Sequence, residues 1–425
     1  MNDTIFALSS GAPPAAIGVI RISGPQAGAT LADFCGRDVT PRRAILAQLR
    51  GAAGGLLDQA LVLWLPGPDS ATGEDLVEFH CHGGRAVIAA VEAELAARAG
   101  LRRAEPGEFT RRAFANGRID LAEAEGLADL LSAETELQRS AAMAMAGGQF
   151  SQEVEDWRSQ LLQLSAAVEA ALDFSDEDDV AEMPADFGQS LRALADELAS
   201  WLERPRAERL GEGYRVVLAG PPNAGKSTLF NALVESEAAI TSPIAGTTRD
   251  VIERSVAIDG IPFTFVDTAG LREQGSDAIE AIGVDRAREQ LKRADLVLWL
   301  GPDAEEPKGS WPIEAQVDNP AHLVKQAPRF RVSAVTGENL DALKRALVEE
   351  ARKALPKPGE AALNARQHAL IDEARREILD AGRVQDPLII AENLRRARIA
   401  FDRLVGRATT EDMLDALFGR FCIGK

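Results

Sequence analysis

The residues that most directly indicate chemistry form one continuous loop. Residues 220–227 read GPPNAGKS, a full match to the phosphate-binding P-loop pattern. The apolar run before it, residues 214–219, predicts a buried strand, and the residues from Thr228 onward predict a helix start. Glycines let backbone N–H groups turn around phosphates, and a helix N-terminus favours an anion. Lys226 would reach the β- and γ-phosphates and the Ser227 hydroxyl would ligate Mg²⁺, so the loop predicts a nucleotide-binding enzyme.

Two further elements follow the P-loop at positions suited to bind Mg²⁺ and the γ-phosphate. Residues 263–266 predict a strand that ends in Asp267, which is placed to hold Mg²⁺ through water, and Gly270 can offer its N–H to the γ-phosphate. Between the loop and this strand, Thr248 can add a second hydroxyl to Mg²⁺ and sense the γ-phosphate. The order and spacing of the three elements indicate a GTPase related to translation factors.

Hydrolysis needs a group that orients water, and the usual position lacks one. Leu271 stands where a glutamine follows the Asp-x-x-Gly segment in Ras-like enzymes. Glu280, in the following acidic segment, is the candidate replacement. Asn223 suggests a second source of positive charge, because its amide oxygen and carbonyls of residues 242–247 could hold K⁺; a loop-capping amide is the alternative.

Several further motifs lie outside this region: DTIFA (3–7), GVIRISG (18–24), TGED (72–75), EFHCHGG (78–84), PGEFT (106–110), NGRIDL (116–121) and FCIGK (421–425). With these motifs the chain resembles the MnmE (TrmE) family of tRNA-modification GTPases from residue 3 to the last residue. The resemblance implies a homodimer that acts with the flavoprotein MnmG, as a heterotetramer, on the wobble uridine of tRNA. It also implies an aminomethyl or carboxymethylaminomethyl product and a one-carbon unit from 5-formyl-tetrahydrofolate.

The resemblance also assigns ligand-binding residues. It implies folate binding by Arg21, Glu78, Arg118 and Lys425, although the family usually has lysine at position 118. It implies K⁺ binding at Asn223, Ser242, Ile244 and Thr247, Mg²⁺ binding at Ser227 and Thr248, and catalysis by Lys226 and Glu280. The expected GTP contacts are Asn223, Ala224, Gly225, Lys226, Ser227, Thr228, Ser242, Pro243, Ile244, Ala245, Gly246, Thr247, Thr248, Asp267, Thr268, Ala269, Gly270, Ser333, Ala334 and Val335.

One departure concerns the base. GTPases of this class read guanine with Asn-Lys-x-Asp, and no such tetrapeptide occurs between Leu300 and Ser333. The nearest alignment is VKQA at residues 324–327, which keeps Lys325 and loses both Asn and Asp. Hydrogen bonds to a charged group contribute about 1.5–3 kcal/mol each, so this alignment predicts a weakened guanine preference.

The chain order predicts a multidomain protein. Residues 1–118 mix β-rich runs with helical stretches, which indicates an α+β domain. The resemblance implies that this domain binds folate and mediates dimerisation. Helical periodicity in residues 119–210 and 355–425 predicts one discontinuous all-α domain. An α/β P-loop GTPase domain, residues 211–354, is inserted between the two helical segments.

Composition limits the partners and the compartment. The 425 residues carry a formal net charge of −19, so any tRNA contact must use local basic runs. Two runs are candidates: Arg102, Arg103, Arg111 and Arg112, and Arg395, Arg396, Arg398, Arg403 and Arg407. The three cysteines are widely spaced, and the chain shows neither a signal peptide nor a membrane span, which predicts a cytoplasmic protein. A ribosome-assembly GTPase and a nucleotide-binding scaffold with little turnover remain alternatives.

Overall fold

A computed structural model describes most of the chain, which forms two compact units. The described residues are 3–173, 183–235, 237–240, 252–268, 289–408 and 410–425. The first unit comprises residues 1–128 and 401–425, and the second comprises residues 129–400. None of the described helices is long and apolar enough to cross a membrane.

The first unit is built on a six-stranded sheet. Its strands are β1 (Thr4–Leu8), β2 (Ile17–Ser23), β3 (Ile45–Arg50), β4 (Leu56–Leu65), β5 (Leu76–His82) and β6 (Leu101–Arg103). They lie in the order β3-β4-β5-β2-β1-β6, and among these pairs only β1 and β6 run parallel. Alternate residues such as Ile20, Val62 and Phe79 are fully buried, as expected for strands with one covered face.

Helices cover that face. Two of them, α1 (Ala27–Cys35) and α2 (Arg85–Ala96), complete the core on that face with their apolar stripes. A third helix, α3 (Glu108–Ala115), packs on the opposite face, where Phe109 joins Ile5, Ala7 and Leu76. The last helix, α13 (Glu411–Phe418), packs on α3 through the rings of Phe418 and Phe114, whose centroids lie 6.1 Å apart. This unit therefore has the predicted α+β character.

The second unit contains a seven-stranded sheet and a set of helices that flank it in the chain. They are α5 (Glu136–Ala146), α6 (Gln149–Asp173), α7 (Phe187–Leu202), α8 (Glu208–Glu212) and α11 (Ala365–Ala381), while α4 (Leu121–Ser132) and α12 (Pro387–Leu404) run across the boundaries of the two units. Helix α7 comes before the sheet in the sequence and α11 comes after it, and the two helices pack against each other. Their packing confirms the discontinuous helical part of the predicted fold class.

A seven-stranded sheet carries the P-loop. Its strands are β7 (Tyr214–Ala219), β8 (Ala238–Ala239), β9 (Ile252–Ile258), β10 (Ile261–Asp267), β11 (Leu296–Trp299), β12 (Trp311–Ala315) and β13 (Phe330–Val332). Their order is β13-β12-β11-β7-β10-β9-β8, with β9 antiparallel to both neighbours and the other pairs parallel. Helices α9 (Lys226–Val234) and α10 (Leu340–Ala354) pack on this sheet. The carboxyl ends of its five parallel strands meet at one edge, where ligands bind in open α/β sheets.

Candidate nucleotide site

The P-loop joins the central strand β7 to helix α9, and its shape is set by left-handed backbone positions. Gly220, Asn223 and Gly225 have φ angles of 151°, 62° and 88°. A Cβ atom on Gly220 would lie 3.0 Å from the backbone N of Gly301, so only glycine fits against the end of β11. Helix α9 begins at Lys226, immediately after Gly225. The loop therefore presents consecutive N–H groups and a helix N-terminus to the same space.

Lys226 lies over the loop that precedes it. Its side chain is largely buried, and Nζ donates hydrogen bonds to the carbonyl oxygens of Gly220 at 3.0 Å and Pro221 at 2.7 Å. The loop borders a cleft of about 680 Å³, which Thr268 and Trp299 also line. A cleft of this size beside an ammonium group and a row of N–H donors fits a polyphosphate.

The second predicted ligand region begins at the end of β10. Asp267 pairs in register with Leu218 of β7 and is 1 % exposed, so its carboxylate lies beside the P-loop strand. Thr268 lines the cleft, and its hydroxyl donates to the Leu218 carbonyl at 2.8 Å. The Asp267 carboxylate and the Ser227 hydroxyl are hard oxygen ligands of the kind that Mg²⁺ prefers. The donor set on this edge of the sheet fits a hydrated magnesium ion.

The cleft adjoins a smaller recess of about 230 Å³ at the ends of β12 and β13. Asp318 lines this recess, and its Oδ1 accepts a hydrogen bond from Ser333 Oγ at 2.5 Å. Ser333 is fully buried, and its Oγ also accepts from the backbone N–H of Thr336 at 3.1 Å. The neighbouring Val335 is 75 % exposed and offers an apolar surface at the rim. A fixed carboxylate beside an apolar surface can bind the polar edge of a planar base.

The structure does not bring the VKQA segment to the recess. Lys325 is buried away from the recess, where Nζ donates to the Gly301 carbonyl at 2.6 Å and contacts Asp303 Oδ1 at 3.4 Å. The aspartate that lines the recess is Asp318, in the tetrapeptide AQVD that begins at Ala315, the last residue of β12. AQVD keeps only the Asp of Asn-Lys-x-Asp, so a search for adjacent Asn and Lys misses it. The available signal is an aspartate just after a buried strand and 15 residues before Ser333.

Gln316 connects the recess to the P-loop. Its Nε2 donates to the carbonyl oxygen of Asn223 at 3.3 Å. A Cβ atom on Gly225 would lie 3.0 Å from the same Nε2, so the two segments are in close contact. Gln316 itself has a φ of 61°, a strained value for a residue with a side chain. The amide therefore stands where the family motif has a lysine, and sequence reasoning did not single it out.

The structure thus brings together one part of the predicted nucleotide set. Asn223, Gly225, Lys226, Ser227, Thr228 and Thr268 line the cleft, and Ala334 and Val335 line the recess; Ala224 packs against the core. The other predicted contacts lie outside the described residues: Ser242, Pro243, Ile244, Ala245, Gly246, Thr247, Thr248, Ala269, Gly270 and Glu280.

The first unit contains the predicted folate residues. Arg21 on β2 lies opposite Glu78 on β5, and Arg21 Nε donates to Glu78 Oε1 at 2.8 Å. Glu78 Oε2 lies 3.1 Å from His80 Nε2. Burial raises the pKa of the Glu78 carboxyl, but the hydrogen bonds and charges of Arg21 and His80 outweigh burial, so this pKa is lowered. The carboxylate is therefore ionised, and its cationic partner is Arg21.

The other two predicted folate residues lie on separate segments. Arg118 Nη1 contacts Asp69 Oδ1 at 3.4 Å, and Lys425 belongs to the C-terminal tail. That tail is held against β1, because a Cβ atom on Gly424 would overlap the Leu8 carbonyl oxygen. Arg21 and Glu78 therefore form a direct pair, while Arg118 is engaged by Asp69.

The first basic run is paired with acidic residues. Arg112 is 1 % exposed and contacts Asp3, Glu74 and Glu108. Each of the other three arginines also has acidic partners: Arg102 pairs with Asp3 and Glu108, Arg103 with Glu92, and Arg111 with Glu411 and Asp415. In the second run, Arg395 and Arg396 both contact Glu392. Each arginine of the first run is therefore paired with at least one carboxylate, and Arg112 is the buried member of the four.

Comparison with known proteins covers the chain almost from end to end. The family model described as the GTP-binding protein TrmE N-terminus matches residues 4–118, and the MnmE helical domain matches residues 121–422. The tRNA modification GTPase MnmE of Erythrobacter litoralis is 66 % identical over 423 residues, and that of Novosphingobium aromaticivorans is 63 % identical over 437 residues. Both comparisons cover all of this chain and all of the relative.

A solved G domain of the FeoB iron transporter from T. maritima matches a smaller part. It is 26 % identical, covers 32 % of this chain and 98 % of that chain, and has a TM-score of 0.25. A TM-score this low adds nothing to the description of the fold.

Proposed function

This chain belongs to the MnmE family of tRNA modification GTPases, and from that premise we propose the residues and cofactors with which it works. GTP binds with its phosphates in the P-loop cleft and its base in the adjoining recess. Its hydrolysis is coupled, together with MnmG, to aminomethyl or carboxymethylaminomethyl modification of the wobble uridine of tRNA. The observation that carries the nucleotide assignment is the hydrogen bond from Ser333 to Asp318 at the rim of the recess.

The recess can bind guanine through one carboxylate, that of Asp318. The two oxygens of Asp318 accept hydrogen bonds from N1–H and the 2-amino group of guanine, and adenine offers neither donor at these positions. Ser333 holds one carboxylate oxygen and so fixes the plane of the group. Because position 315 is alanine, the base lacks the amide that the family motif supplies, and selectivity rests on Asp318.

The cleft supports phosphoryl transfer by positioning and charge. The P-loop N–H groups hold the phosphates, and Lys226, released from the Gly220 and Pro221 carbonyls, neutralises the β- and γ-phosphates. Mg²⁺ would be held by Ser227, Thr248 and, through water, Asp267, and it supplies charge neutralisation of the phosphates. Water attacks in line with the leaving oxygen, and Glu280 is the proposed residue that orients it.

A potassium ion is the proposed second cation. Asn223 would bind it together with Ser242, Ile244 and Thr247 when two G domains meet in a homodimer. The φ of 62° at Asn223 and the hydrogen bond that its carbonyl receives from Gln316 hold this residue in a defined loop conformation, which supports the assignment. A cation beside the phosphates adds to the charge stabilisation of the transition state.

The first unit is the proposed site of 5-formyl-tetrahydrofolate. Glu78 is an ionised, largely buried carboxylate on a sheet, suited to accept hydrogen bonds from the amino-pyrimidine end of a pterin. Arg118 and Lys425 supply positive charge for the glutamate end, and Arg21 holds the Glu78 carboxylate in place. The C-terminal tail, held at Gly424, would bring Cys422 and Lys425 to this ligand. We propose a cytoplasmic enzyme, since its tRNA substrate is found there.

An Asp318→Asn variant tests the base assignment. Phosphate release from GTP, XTP and ATP is measured in KCl and in NaCl for this variant and for the wild type. We expect the wild type to prefer GTP, with faster turnover in KCl. The variant should lose about 100-fold on GTP and prefer XTP, because xanthine has a carbonyl where guanine has an amino group.

The control for this experiment is Asp341→Asn, on an exposed position of α10. It should retain the wild-type preference. Unchanged GTP preference in the Asp318 variant would show that another group reads the base, and equal rates in KCl and NaCl would remove the potassium ion from the proposal.

Calorimetric binding of 5-formyl-tetrahydrofolate tests the proposal for the first unit. Glu78→Gln should bind about tenfold more weakly, because a carboxylate that accepts hydrogen bonds is replaced by an amide. Glu92→Gln is the matched control, because Glu92 is a carboxylate on α2 that pairs with another arginine, Arg103. Equal affinity for both variants would place the ligand elsewhere.

A further inference from the structure

The turn that carries Asp318 is connected to strand β12 by His322. The imidazole is 12 % exposed, and its two nitrogens face two different acceptors. Nδ1 lies 2.7 Å from the carbonyl oxygen of Asn319, and Nε2 lies 2.9 Å from Oε1 of Glu314. Glu314 is the buried residue before Ala315 on β12, so one ring joins the turn to the sheet.

Both contacts are satisfied only by the protonated ring. A carbonyl oxygen cannot donate, so Nδ1 must carry a hydrogen. Nε2 must also carry one, because Glu314 is already an acceptor: Oε1 accepts from Arg331 Nε at 3.1 Å, and Oε2 from the Lys325 N–H at 3.3 Å. In either neutral tautomer, one nitrogen lone pair would face a lone pair on oxygen.

The charges around His322 agree with that protonation state. Glu314 on β12 faces the ring directly. Arg331 on β13 contacts the same Oε1, and its charge lowers the pKa of His322, while Lys325 contacts the other carboxylate oxygen through its backbone N–H. The hydrogen bond to Glu314 and then that to the Asn319 carbonyl raise the pKa of His322. Burial raises the pKa of Glu314, but its bonds to His322, Lys325 and Arg331 lower it below its ordinary value.

The carbonyl that His322 binds belongs to the residue next to Asp318. Asn319 closes the turn, because its N–H donates to the Gln316 carbonyl at 2.8 Å. The same Asn319 carbonyl also accepts the backbone N–H of His322 at 3.0 Å, and the Asn319 side chain accepts from the Ala321 N–H at 3.0 Å. His322 therefore holds the second half of the turn, Ser333 holds the Asp318 carboxylate, and Asp318 lies between Gln316 and the His322 attachment.

We propose that His322 is a positioning residue of the base site: its imidazolium holds the Gln316–Asn319 turn so that Asp318 meets guanine, and deprotonation of His322 weakens guanine-nucleotide binding. This inference rests on the proposed role of Asp318. The protonated ring is the form that makes both hydrogen bonds, so guanine-nucleotide binding is tightest when His322 is protonated. The contribution of His322 to guanine-nucleotide affinity is fully present below the ordinary histidine pKa of about 6.5. It is lost as the pH rises through the raised pKa of His322.

The test is the affinity of the full chain for a fluorescent GDP analogue between pH 5.5 and 8.5. The phosphate of GDP itself titrates near pH 6, so the quantity to compare is the ratio of wild-type to His322→Gln affinity at each pH. We expect a ratio of about five at the acidic end, as for the loss of a charge-assisted hydrogen bond that acts through one turn. The ratio should fall towards one at the alkaline end.

Two variants sharpen this test. His368→Gln, on helix α11, is the matched control and should give a ratio of one at every pH. Glu314→Gln removes the carboxylate partner of the ring and should shift the midpoint of the pH profile to lower pH. Thermal unfolding of each variant at pH 6 separates a lost fold from a lost contact.

Two further results would contradict the proposed role of His322. A ratio that stays constant with pH would overturn the role of His322, and so would a matching pH profile in the His368 variant. The Asp318→Asn variant distinguishes the two proposals. If it binds GDP as tightly as the wild type, the base assignment fails; if it binds weakly while the wild-type to His322→Gln ratio is constant, only the role of His322 fails.

Discussion

The phosphate end and the base end of the nucleotide site are built in different ways. The phosphate end is one continuous segment, in which backbone N–H groups and Lys226 face the cleft. The base end is assembled from two loops, and its key contact joins Asp318 to Ser333 across 15 residues of sequence. A backbone cradle requires glycines and a lysine at fixed spacing, whereas the base needs one carboxylate held at the right position.

This difference explains why the two ends tolerate change differently. In the P-loop, Gly220 and Gly225 have φ angles that side chains disfavour, and a Cβ atom at either position would collide with a neighbouring segment. In the base motif, two side chains have been replaced, by Ala315 and Gln316, and the recess is still present. We therefore expect substitutions at the phosphate end to have larger effects than those at the base end.

The largest effect is expected from Lys226→Ala. Loss of the ammonium removes a charge that stabilises the transferring phosphoryl group, so the rate of GTP hydrolysis should fall about 10³-fold. Single-turnover phosphate release measures this rate, and circular dichroism checks the loop, since Lys226 also binds the Gly220 and Pro221 carbonyls. Lys308→Ala, at an exposed position, is the control. A loss of less than tenfold would mean that the two ends contribute more equally than their construction suggests.

Ser333→Ala should have an intermediate effect at the base end. Asp318 keeps its charge but loses the hydroxyl that orients it, so GDP affinity should fall about tenfold while the preference for guanine is retained. Calorimetry with GDP and ADP gives both quantities. Thr336→Ala is the comparison variant, because its hydroxyl accepts from the Glu338 N–H and does not contact Asp318. A change in base preference would indicate that Ser333 itself contacts the base.

Sequence predicted the phosphate end because its signal is local. The strand, the loop and the start of α9 are contiguous, and Asp267 ends a strand that is buried along its whole length. The base end depends on which residues the sheet brings together. Strand β12 has only five residues, with Pro312 among them, and its position beside β13 decides that Asp318 meets Ser333. The VKQA alignment depends on Lys325, but this lysine is buried and donates a hydrogen bond to the Gly301 carbonyl.

The first unit shows the same division between local and assembled features. The α+β character follows from strands that alternate buried and outward residues, and Arg21 and Glu78 both lie at the less buried positions of such strands. The pairing of β2 with β5 is a finding of the structure. The direct hydrogen bond between Arg21 and Glu78 depends on register, which sequence alone did not specify. The basic run around Arg112 looked like a surface patch, but its partners Glu74 and Asp3 lie far away in the chain.

A smaller effect is expected from Gln316→Lys, which joins the two ends. The amide donates to the Asn223 carbonyl at 3.3 Å, and an ammonium at the same place would make a stronger bond and add positive charge beside the cleft. GDP affinity should rise about two- to fivefold, measured by fluorescence displacement. Gln326→Lys, on the neighbouring loop, is the control for added charge alone. A weaker affinity would mean that the strained backbone at residue 316 has been fitted to the amide.

Lys325→Met should have the smallest effect on nucleotide binding and a clear effect on stability. The substitution keeps much of the side-chain volume but leaves the Gly301 carbonyl without its donor, so the free energy of unfolding should fall by about 1–3 kcal/mol. Chemical denaturation without nucleotide measures that loss, while the ratio of GDP to XDP affinity should match the wild type. If base preference changed instead, the alignment based on VKQA would regain support. If only stability changed, Lys325 would belong to the framework that holds the loop after β12, and base selection would remain with Asp318.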